Sequence, residues 1–459
     1  MPSFTLDEVM QALGTATVLE EKLQNFRDVV TDTRKITEGA LFVALKGERF
    51  NGENFAKDAI EKGAAGVLVS NGFAYGEPLQ GTVIMFDGDT QTAYQLLARF
   101  HRRRFDIPVI AITGSNGKTT TKDLTAAVLS AKYNVLKTQA NFNNEIGLPL
   151  TLLQLNKSHE AAVVEIGMRG LHQIEALAPM AEPDIGIITN VGETHIELLG
   201  SIENIAQAKG EMAEAIPAGG TLIINNDNPY TAAMYKKAKP GVKVITFGLE
   251  KDADIKASDI VSDGSSTTFK CQLGKGGAAC MLTIPMLGNH NVANALAAVA
   301  AGYALGLNTM EIAQGLDSLE MTGMRFETSR KGNVNIINDA YNASPMSMEA
   351  ALRTLGEITK GKGAIAVLGD MLELGDVAVS AHEKVGQQAA EAGVKALVTL
   401  GQLGEKIAAG AKAAGLAEVY TTSTHAEAAE VLKTIVKPED TVLFKGSRGM
   451  QMEKIIELL

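Results

Sequence analysis

The stretch PVIAITGSNGKTTTKDLTAAVL, residues 108–129, restricts the fold more than any other part of this 459-residue chain. PVIAIT (108–113) is a short, β-branched apolar run without polar alternation, as in a strand buried on both faces of a parallel sheet. Leu124, Ala127, Val128 and Ala131 then recur at helical spacing. Strand, glycine turn and helix in that order let backbone N–H groups close around a phosphate at a helix N-terminus, where the dipole favours anions. Gly114, Ser115, Asn116 and Gly117 form the candidate cradle. Lys118 reaches the terminal phosphates, and Thr119, followed by Thr120, places a hydroxyl on Mg2+. The motif is the shorter T-G-x-x-G-K-[ST] form, since residue 112 is Ile where the longer one has Gly. The structural alternative is a plain glycine-rich strand–helix turn.

Around this loop the chain alternates strands and helices. Candidate strands at 108–113, 134–138, 161–166, 185–190 and 221–225 predict a parallel, doubly wound sheet, in which ligands collect at the carboxyl ends of strands. Residues 1–87 read as a mixed α/β segment with strands ALFVAL (40–45), AGVLVS (65–70) and GTVIMFD (81–87). A last segment starting near TGMRFE (322–327) carries strands at 334–338, 364–368, 395–400 and 441–445, a further α/β unit. The expected domains are therefore 1–87, 88–320 and 321–459. No internal repeat stands out.

Composition removes several function classes. A net charge of −11 argues against a general nucleic-acid binder, and the absence of Trp excludes a Trp stacking platform. Cys271 and Cys280 form neither a disulfide framework nor a metal-ligand pattern, and they suit a reducing cytoplasm. MPSFTLDEVMQALG lacks a basic region followed by an apolar core, so no signal peptide is expected. No apolar run is long enough to span a bilayer, so no membrane partner is expected.

Several polar residues fall where chemistry is expected. Glu165 ends AAVVEIG one strand from the loop, a natural oxygen ligand for Mg2+ shared with phosphates, the alternative being a structural ion pair. Asn190 and His195 follow IGIITN, and His195 is either a site residue or an ordinary satisfied histidine. Lys209 lies in the helical stretch NIAQAKGEMAEAI, where most lysines are solvated and paired with a glutamate one turn away. In LGNHNVANALAAVAAGYALG, Asn294 has the donor and acceptor to read an adenine edge, while Asn289 or Asn291 caps the helix. In NDAYNASPMSMEAAL, Ser344 is the expected N-cap and Pro345 the first helical residue. Met348, Ala351, Leu352 and Leu355 form that helix's buried stripe, and Gly356 ends it.

The set TGSNGKTT, NFNNEIGLPLTLL, EIGM, NVGETHIELLGS, AKGE, GNHNVANALAA, NDAYNASPMSMEAAL, LGDMLELG and FKGSRGMQMEKI, in that order along essentially the whole chain, resembles the Mur ligase family. Within it the chain is most similar to the members that join D-alanyl-D-alanine to UDP-N-acetylmuramoyl-tripeptide at the expense of ATP. The resemblance implies a UDP-sugar domain, an ATP domain and a C-terminal Rossmann-like domain that takes the amine. It implies Mg2+ at Thr119 and Glu165, and a second ion at Glu165, His195 and a Lys209 carbamylated by CO2. His290 and Asn294 would lie at adenine, with Arg325 and Asp339 at the phosphates and ribose. Thr31, Asp32, Thr33, Arg34, Lys46 and Gly47 would hold UDP, and Asn141, Asn143 and Asn144 the muramoyl-peptide. Asn342, Ala343, Ser344 and the region of His382 would meet D-Ala-D-Ala. Lys118, His195 and Lys209 are the implied catalytic residues of a cytoplasmic monomer. RFNGENF departs from the family pattern, with Asn51 and Glu53 where Asp and His are common. The alternatives are the enzyme adding the third peptide residue, folylpolyglutamate synthase, or a nucleotide-switched binding protein without ligase chemistry. The third-residue enzyme that adds diaminopimelate carries a DNPR-type turn where this chain reads NASP.

Overall fold

Strands that read as uninterrupted apolar runs are buried on both faces. In the last α/β segment Ile337, Leu443, Ala366 and Leu368 enter one core with Met348, Leu352, Val385 and Ile407 of the covering helices. Their neighbours Ile336, Val442, Phe444, Ile365 and Val367 enter the opposite core with Ala428, Leu432 and Ile455. Parallel strands joined by crossover helices put helices on both faces of a sheet in this way. The computed structural model describes residues 2–47, 50–74, 76–320 and 323–459. Residues 321 and 322, the expected start of the last segment, lie outside the described residues, as does Arg49 of RFNGENF.

The chain divides into two units, and it passes from one to the other within strands Val109–Thr113 and Ile185–Ile188. The first comprises residues 1–111, 133–167 and 174–185. It holds a five-stranded sheet ordered Ala16–Glu20, Thr82–Phe86, Gly66–Ser70, Ala40–Val43 and Asp28–Val30. That sheet is parallel except at its first pair. Val135–Lys137 and Ala161–Glu165 pair in parallel in the same unit.

The second unit comprises residues 112–132, 168–173 and 186–459. Thr221–Asn225 pairs in parallel with Lys243–Gly248. The sheet then continues through Ile255–Ser262 into an antiparallel ribbon of Thr267–Leu273 and Ala279–Ile284. A six-stranded sheet runs Glu327–Lys331, Val334–Asp339, Thr441–Lys445, Ala364–Gly369, Ala396–Leu400, Val419–Thr422. Only its edge hairpin is antiparallel. The α/β class expected from the sequence is borne out.

Two local expectations are corrected. Ser344 does cap the helix Pro345–Thr359, reciprocally with Ser347, but Gly356 lies inside that helix. A Cβ at Gly356 would sit 2.5 Å from the carbonyl oxygen of Ala392, so this glycine serves close packing, and Lys360 ends the helix at φ 50°. Neither Asn289 nor Asn291 caps the helix Asn289–Ala304; Gly288 precedes it with no side-chain cap, and Asn291 Nδ2 donates to the Leu287 carbonyl at 2.8 Å.

The helix Lys118–Ser130 is covered tightly. A Cβ at Gly315, in the helix Thr309–Asp317, would lie 2.5 Å from Val128 Cα and 2.6 Å from the Ala127 carbonyl. Gly315→Ala gains about 1 kcal/mol of helix propensity. It forces backbone against backbone, which costs roughly 1–3 kcal/mol. We expect net destabilisation, read as a lower urea midpoint; an unchanged or raised midpoint would show that the two helices do not approach this closely.

Candidate active site

The phosphate loop is shaped by its glycines and braced from outside. Gly114 has φ 148° and Gly117 φ 80°, both in the region that favours glycine. A Cβ at Gly114 would lie 1.9 Å from Thr189 Oγ1, and one at Gly117 would lie 2.3 Å from Asn294 Oδ1. The Asn116 carbonyl accepts from Thr189 Oγ1 at 2.6 Å and Asn190 Nδ2 at 3.0 Å. Its N–H donates to Asn190 Oδ1 at 2.9 Å. The Ser115 N–H donates to the Asn190 carbonyl, and Ser115 Oγ bonds both backbone groups of Gly192 at 2.9 Å. Ser344 Oγ donates to Asn116 Oδ1 at 2.8 Å.

The helix Lys118–Ser130 starts from Gly117 without a side-chain cap, so the positive end of its dipole opens on the loop. Lys118 Nζ reaches back to the carbonyls of Gly114 at 2.8 Å and Ser115 at 3.3 Å. Thr119 and Thr120 are buried at the first turn. Asn294 is buried, donates to Asn291 Oδ1, and accepts from Thr121 Oγ1 at 3.3 Å, so the structure places it against the loop's second glycine.

Three nitrogen bases gather beside this loop. Lys209, in the helix Ile202–Ala215, is 2 % exposed. Burial holds its pKa well below the usual lysine value, and the charge of Lys118 lowers it further. His195 sits at φ 57° before the short helix Ile196–Leu199, its Nδ1 donating to a Glu373 carboxylate oxygen. Burial lowers the His195 pKa; Glu373 opposes this, and Lys118 and Lys209 add to it.

A second cluster lies on the last sheet. Asp339, ending Val334–Asp339, accepts from Lys445 Nζ at 2.6 Å and the Phe326 N–H at 3.2 Å. Lys445 Nζ also donates to the Asn342 carbonyl at 2.9 Å. The His290 ring meets the Phe326 ring edge-on at 6.0 Å, and burial pushes its pKa down to about 4. Arg325 stacks on Tyr341 at 3.9 Å. His290 Nδ1 and Arg325 Nε are buried without a hydrogen-bond partner among the described residues.

His382 is fully buried, and both ring nitrogens serve backbone: Nε2 accepts from the Met371 N–H, and Nδ1 donates to the Ala378 carbonyl. Ala343 is buried beside Ser344. In the first unit, Glu165 ends Ala161–Glu165 at 2 % exposure and accepts from Asn143 Nδ2 at 2.7 Å. Asn144 Oδ1 accepts from the Gly147 N–H, and the Asn141 carbonyl accepts from the Asn143 N–H.

Thr31 precedes Asp32, which caps the short turn Thr33–Lys35 and chelates Arg34. That side-chain hydrogen bond holds the Asp32 carboxyl at about 2. Lys46, paired through Gly47 with Phe50–Asn51, bonds Ser70 Oγ at 2.6 Å and Glu53 at 3.0 Å. Glu53 also accepts from the Ser70 N–H and Oγ, and Asn51 caps the turn Gly52–Phe55. Asn51 and Glu53 thus form one network with Lys46.

Among the described residues no group of three or more His, Cys, Asp or Glu side chains could hold a metal ion, and no helix is long and apolar enough to cross a membrane. Thr189, Gly192, Lys445 and Glu373 carry the geometry without having been assigned roles from the sequence. Thr189, Lys445 and Glu373 lie at or just beyond carboxyl ends of strands, the signal that would have found them.

Gly117→Ala puts a methyl at positive φ and into Asn294. We expect nucleotide affinity to fall at least tenfold, about 1.4 kcal/mol, in a fluorescent-nucleotide titration; wild-type affinity would contradict the loop geometry.

The chain matches the Mur ligase family catalytic domain over residues 25–83, the Mur ligase middle domain over 112–302 and the Mur ligase glutamate ligase domain over 324–448. It is similar to UDP-N-acetylmuramoyl-tripeptide–D-alanyl-D-alanine ligase of Bacillus subtilis, at 41% identity over 94% of this chain and 92% of the relative. It superposes on a crystal structure of MurF from Acinetobacter baumannii with a TM-score of 0.90 and 30% identity, covering 99% of this chain and 98% of that one. It superposes on MurF from Thermotoga maritima in complex with ADP with a TM-score of 0.82 and 27% identity, covering 94% and 96%. A phosphate loop braced by TNVG, a buried lysine beside it, and family matches along most of the chain lead to one conclusion: the chain belongs to the Mur ligase family.

Proposed function

We infer that this chain is an ATP-dependent ligase that joins D-alanyl-D-alanine to UDP-N-acetylmuramoyl-tripeptide, giving ADP and phosphate, in peptidoglycan precursor synthesis. The observation that carries the reading is the burial of Lys209 within the electrostatic reach of the phosphate-loop lysine, in a chain 41% identical to a relative of that name. A phosphate loop alone describes any nucleotide hydrolase.

The chemistry follows from the substrates. A carboxylate is a poor acyl donor, because its charge repels nucleophiles and oxide is a poor leaving group. Transfer of the ATP γ-phosphoryl group to the peptide carboxylate gives an acyl phosphate. The free amine of D-Ala-D-Ala attacks its carbonyl, a tetrahedral intermediate forms, and phosphate leaves as the amide bond is made. Lys118 offsets charge on the transferring group, and the uncapped N-terminus of the helix Lys118–Ser130 orients the polyphosphate. Excluding water protects the acyl phosphate from hydrolysis.

Mg2+, when bound, neutralises the polyphosphate. Thr119, Glu165, His195 and Lys209 are the residues proposed to hold it, as two ions. An ammonium at Lys209 does not fit a cation site, but its burial favours the neutral amine, and that form reacts with CO2. The nitrogen bonds the CO2 carbon and a proton leaves, so the carbamate supplies an anionic oxygen. His290, Asn294, Arg325 and Asp339 are assigned to the nucleoside and phosphates. Thr31 to Arg34, Lys46 and Gly47 are assigned to UDP; Asn141, Asn143 and Asn144 to the muramoyl-peptide; and Asn342 to Ser344, with the His382 region, to the amine. We assign UDP-sugar binding to residues 1–87, ATP to 88–320 and the amine to 321–459, in a cytoplasmic monomer.

A coupled phosphate-release assay tests the ligation. We expect release only with both the nucleotide-tripeptide and D-Ala-D-Ala, and kcat/KM for L-Ala-L-Ala at least a hundredfold lower, about 2.7 kcal/mol. Release independent of the amine, or equal use of both dipeptides, would overturn the reading. For Lys209, labelled CO2 should give a carbamate resonance in the Mg2+-loaded enzyme that Lys209→Ala lacks. That variant should lose most of its turnover and regain part of it with a short added carboxylic acid. Wild-type turnover in Lys209→Ala would make Lys209 an ordinary buried residue.

A further inference from the structure

The loop after strand Ala364–Gly369 reaches the segment that carries His195. Its base is firmly anchored. The Met371 N–H donates to His382 Nε2 at 2.9 Å, and the Leu372 N–H donates to Ser447 Oγ at 2.8 Å. The Asp370 carbonyl accepts from the Ser447 N–H at 3.0 Å, and Asp370 Oδ1 accepts from the Leu403 N–H at 3.1 Å. These bonds come from a buried histidine, from the turn after Thr441–Lys445 and from the start of the helix Gly404–Ala413. They present the next residue, Glu373, at φ 62°.

Glu373 is held at both ends by segments outside its own sheet. One carboxylate oxygen accepts from His195 Nδ1, and the other lies 3.6 Å from Arg169 Nη2. Its carbonyl accepts from the Glu197 N–H at 3.4 Å. Ile196, next to His195, packs against the core that contains Met371 and Leu374. A carboxylate only accepts, so Nδ1 carries a proton, and in the neutral form of the ring Nε2 is left as the electron-pair donor.

We propose that Glu373 is a positioning residue that locks His195 in the Nδ1–H tautomer, so that the ring can donate to Mg2+ only through Nε2 and only while the loop 370–375 is docked on the segment 192–200. This rests on the assignment of His195 to the metal set. An imidazole ligand is oriented by the partner of its other nitrogen, and loss of such a partner typically costs 10- to 100-fold in metal affinity or activity. Glu373 belongs to the last α/β segment and His195 follows a strand of the middle one. The arrangement therefore makes the His195 tautomer a report on whether the amine-binding segment is in place.

The test uses the full chain with Mn2+ as the metal probe and a non-hydrolysable ATP analogue. Free Mn2+ is measured by electron paramagnetic resonance, and the His195 tautomer by nitrogen NMR of the metal-free protein. Glu373→Ala should weaken Mn2+ binding roughly 10- to 100-fold and turn a single Nδ1–H signal into a tautomer mixture. Glu373→Gln, which keeps an accepting oxygen and the side-chain length, should fall between wild type and Glu373→Ala in affinity and keep the Nδ1–H signal. It decides the matter if the alanine variant does not fold. Wild-type Mn2+ affinity, or a tautomer mixture already in the wild-type protein, would overturn the proposal. A wild-type enzyme that ligates while both variants bind Mn2+ normally would remove this inference alone; a wild-type enzyme that does not ligate would remove the functional reading.

Discussion

A loop can hold a phosphate at the start of a helix only if the rest of the protein fixes the loop's shape. That constraint governs the structure around residues 113–120. Asn190 and Thr189 take the N–H groups of Ser115 and Asn116 and the Asn116 carbonyl, and Gly192 and Ser344 hold the Ser115 and Asn116 side chains. Its two glycines allow Thr189 and Asn294 to approach more closely than any Cβ permits. The helix that follows is buried from Thr119 to Leu129, so its start cannot shift without disturbing a core. Donors fixed in advance need no reorganisation as charge moves, which is where electrostatic catalysis gains most.

Charge follows from that placement. Burial is the largest cause lowering the pKa of Lys209 and His195; Lys118 lowers both further, and Lys209 lowers that of His195. Three cations would repel one another in such a site unless an anion enters or a proton leaves. Such a site suits a polyphosphate, whose charge would offset that repulsion. At Asp339, by contrast, Lys445 compensates the carboxylate, while Arg325 Nε and His290 Nδ1 nearby have no partner among the described residues.

The parts legible in the sequence were those with a repeated or local signal. The continuous apolar strands, the glycine turn and the Ser344–Pro345 helix start all have such a pattern. The antiparallel ribbon of 255–284 was not read, although Thr267, Phe269 and Cys271 alternate inward in it, as do Leu282 and Ile284. Its strands are polar, lie outside the strand–helix rhythm, and carry a register shift between Ser258 and Val261. Gly356 was misread because a glycine needed for contact with Ala392 looks the same in sequence as one that ends a helix. Asn291 was misread because its side chain turns to a carbonyl instead of a helix N–H. Within the site the loop and Lys209 could be singled out, whereas the pairing of Glu373 with His195 joins residues 178 apart and leaves no local trace.

The central claim is that ATP activates a carboxylate by phosphorylating it. The most direct measurement uses nucleotide-tripeptide whose terminal carboxylate carries heavy oxygen, followed by mass analysis of the phosphate released on ligation. An acyl phosphate breaks at the carbonyl carbon, so one heavy oxygen should move from the carboxylate to each phosphate. Phosphate released without the label would show that water, not the peptide carboxylate, accepts the phosphoryl group, and would contradict the account.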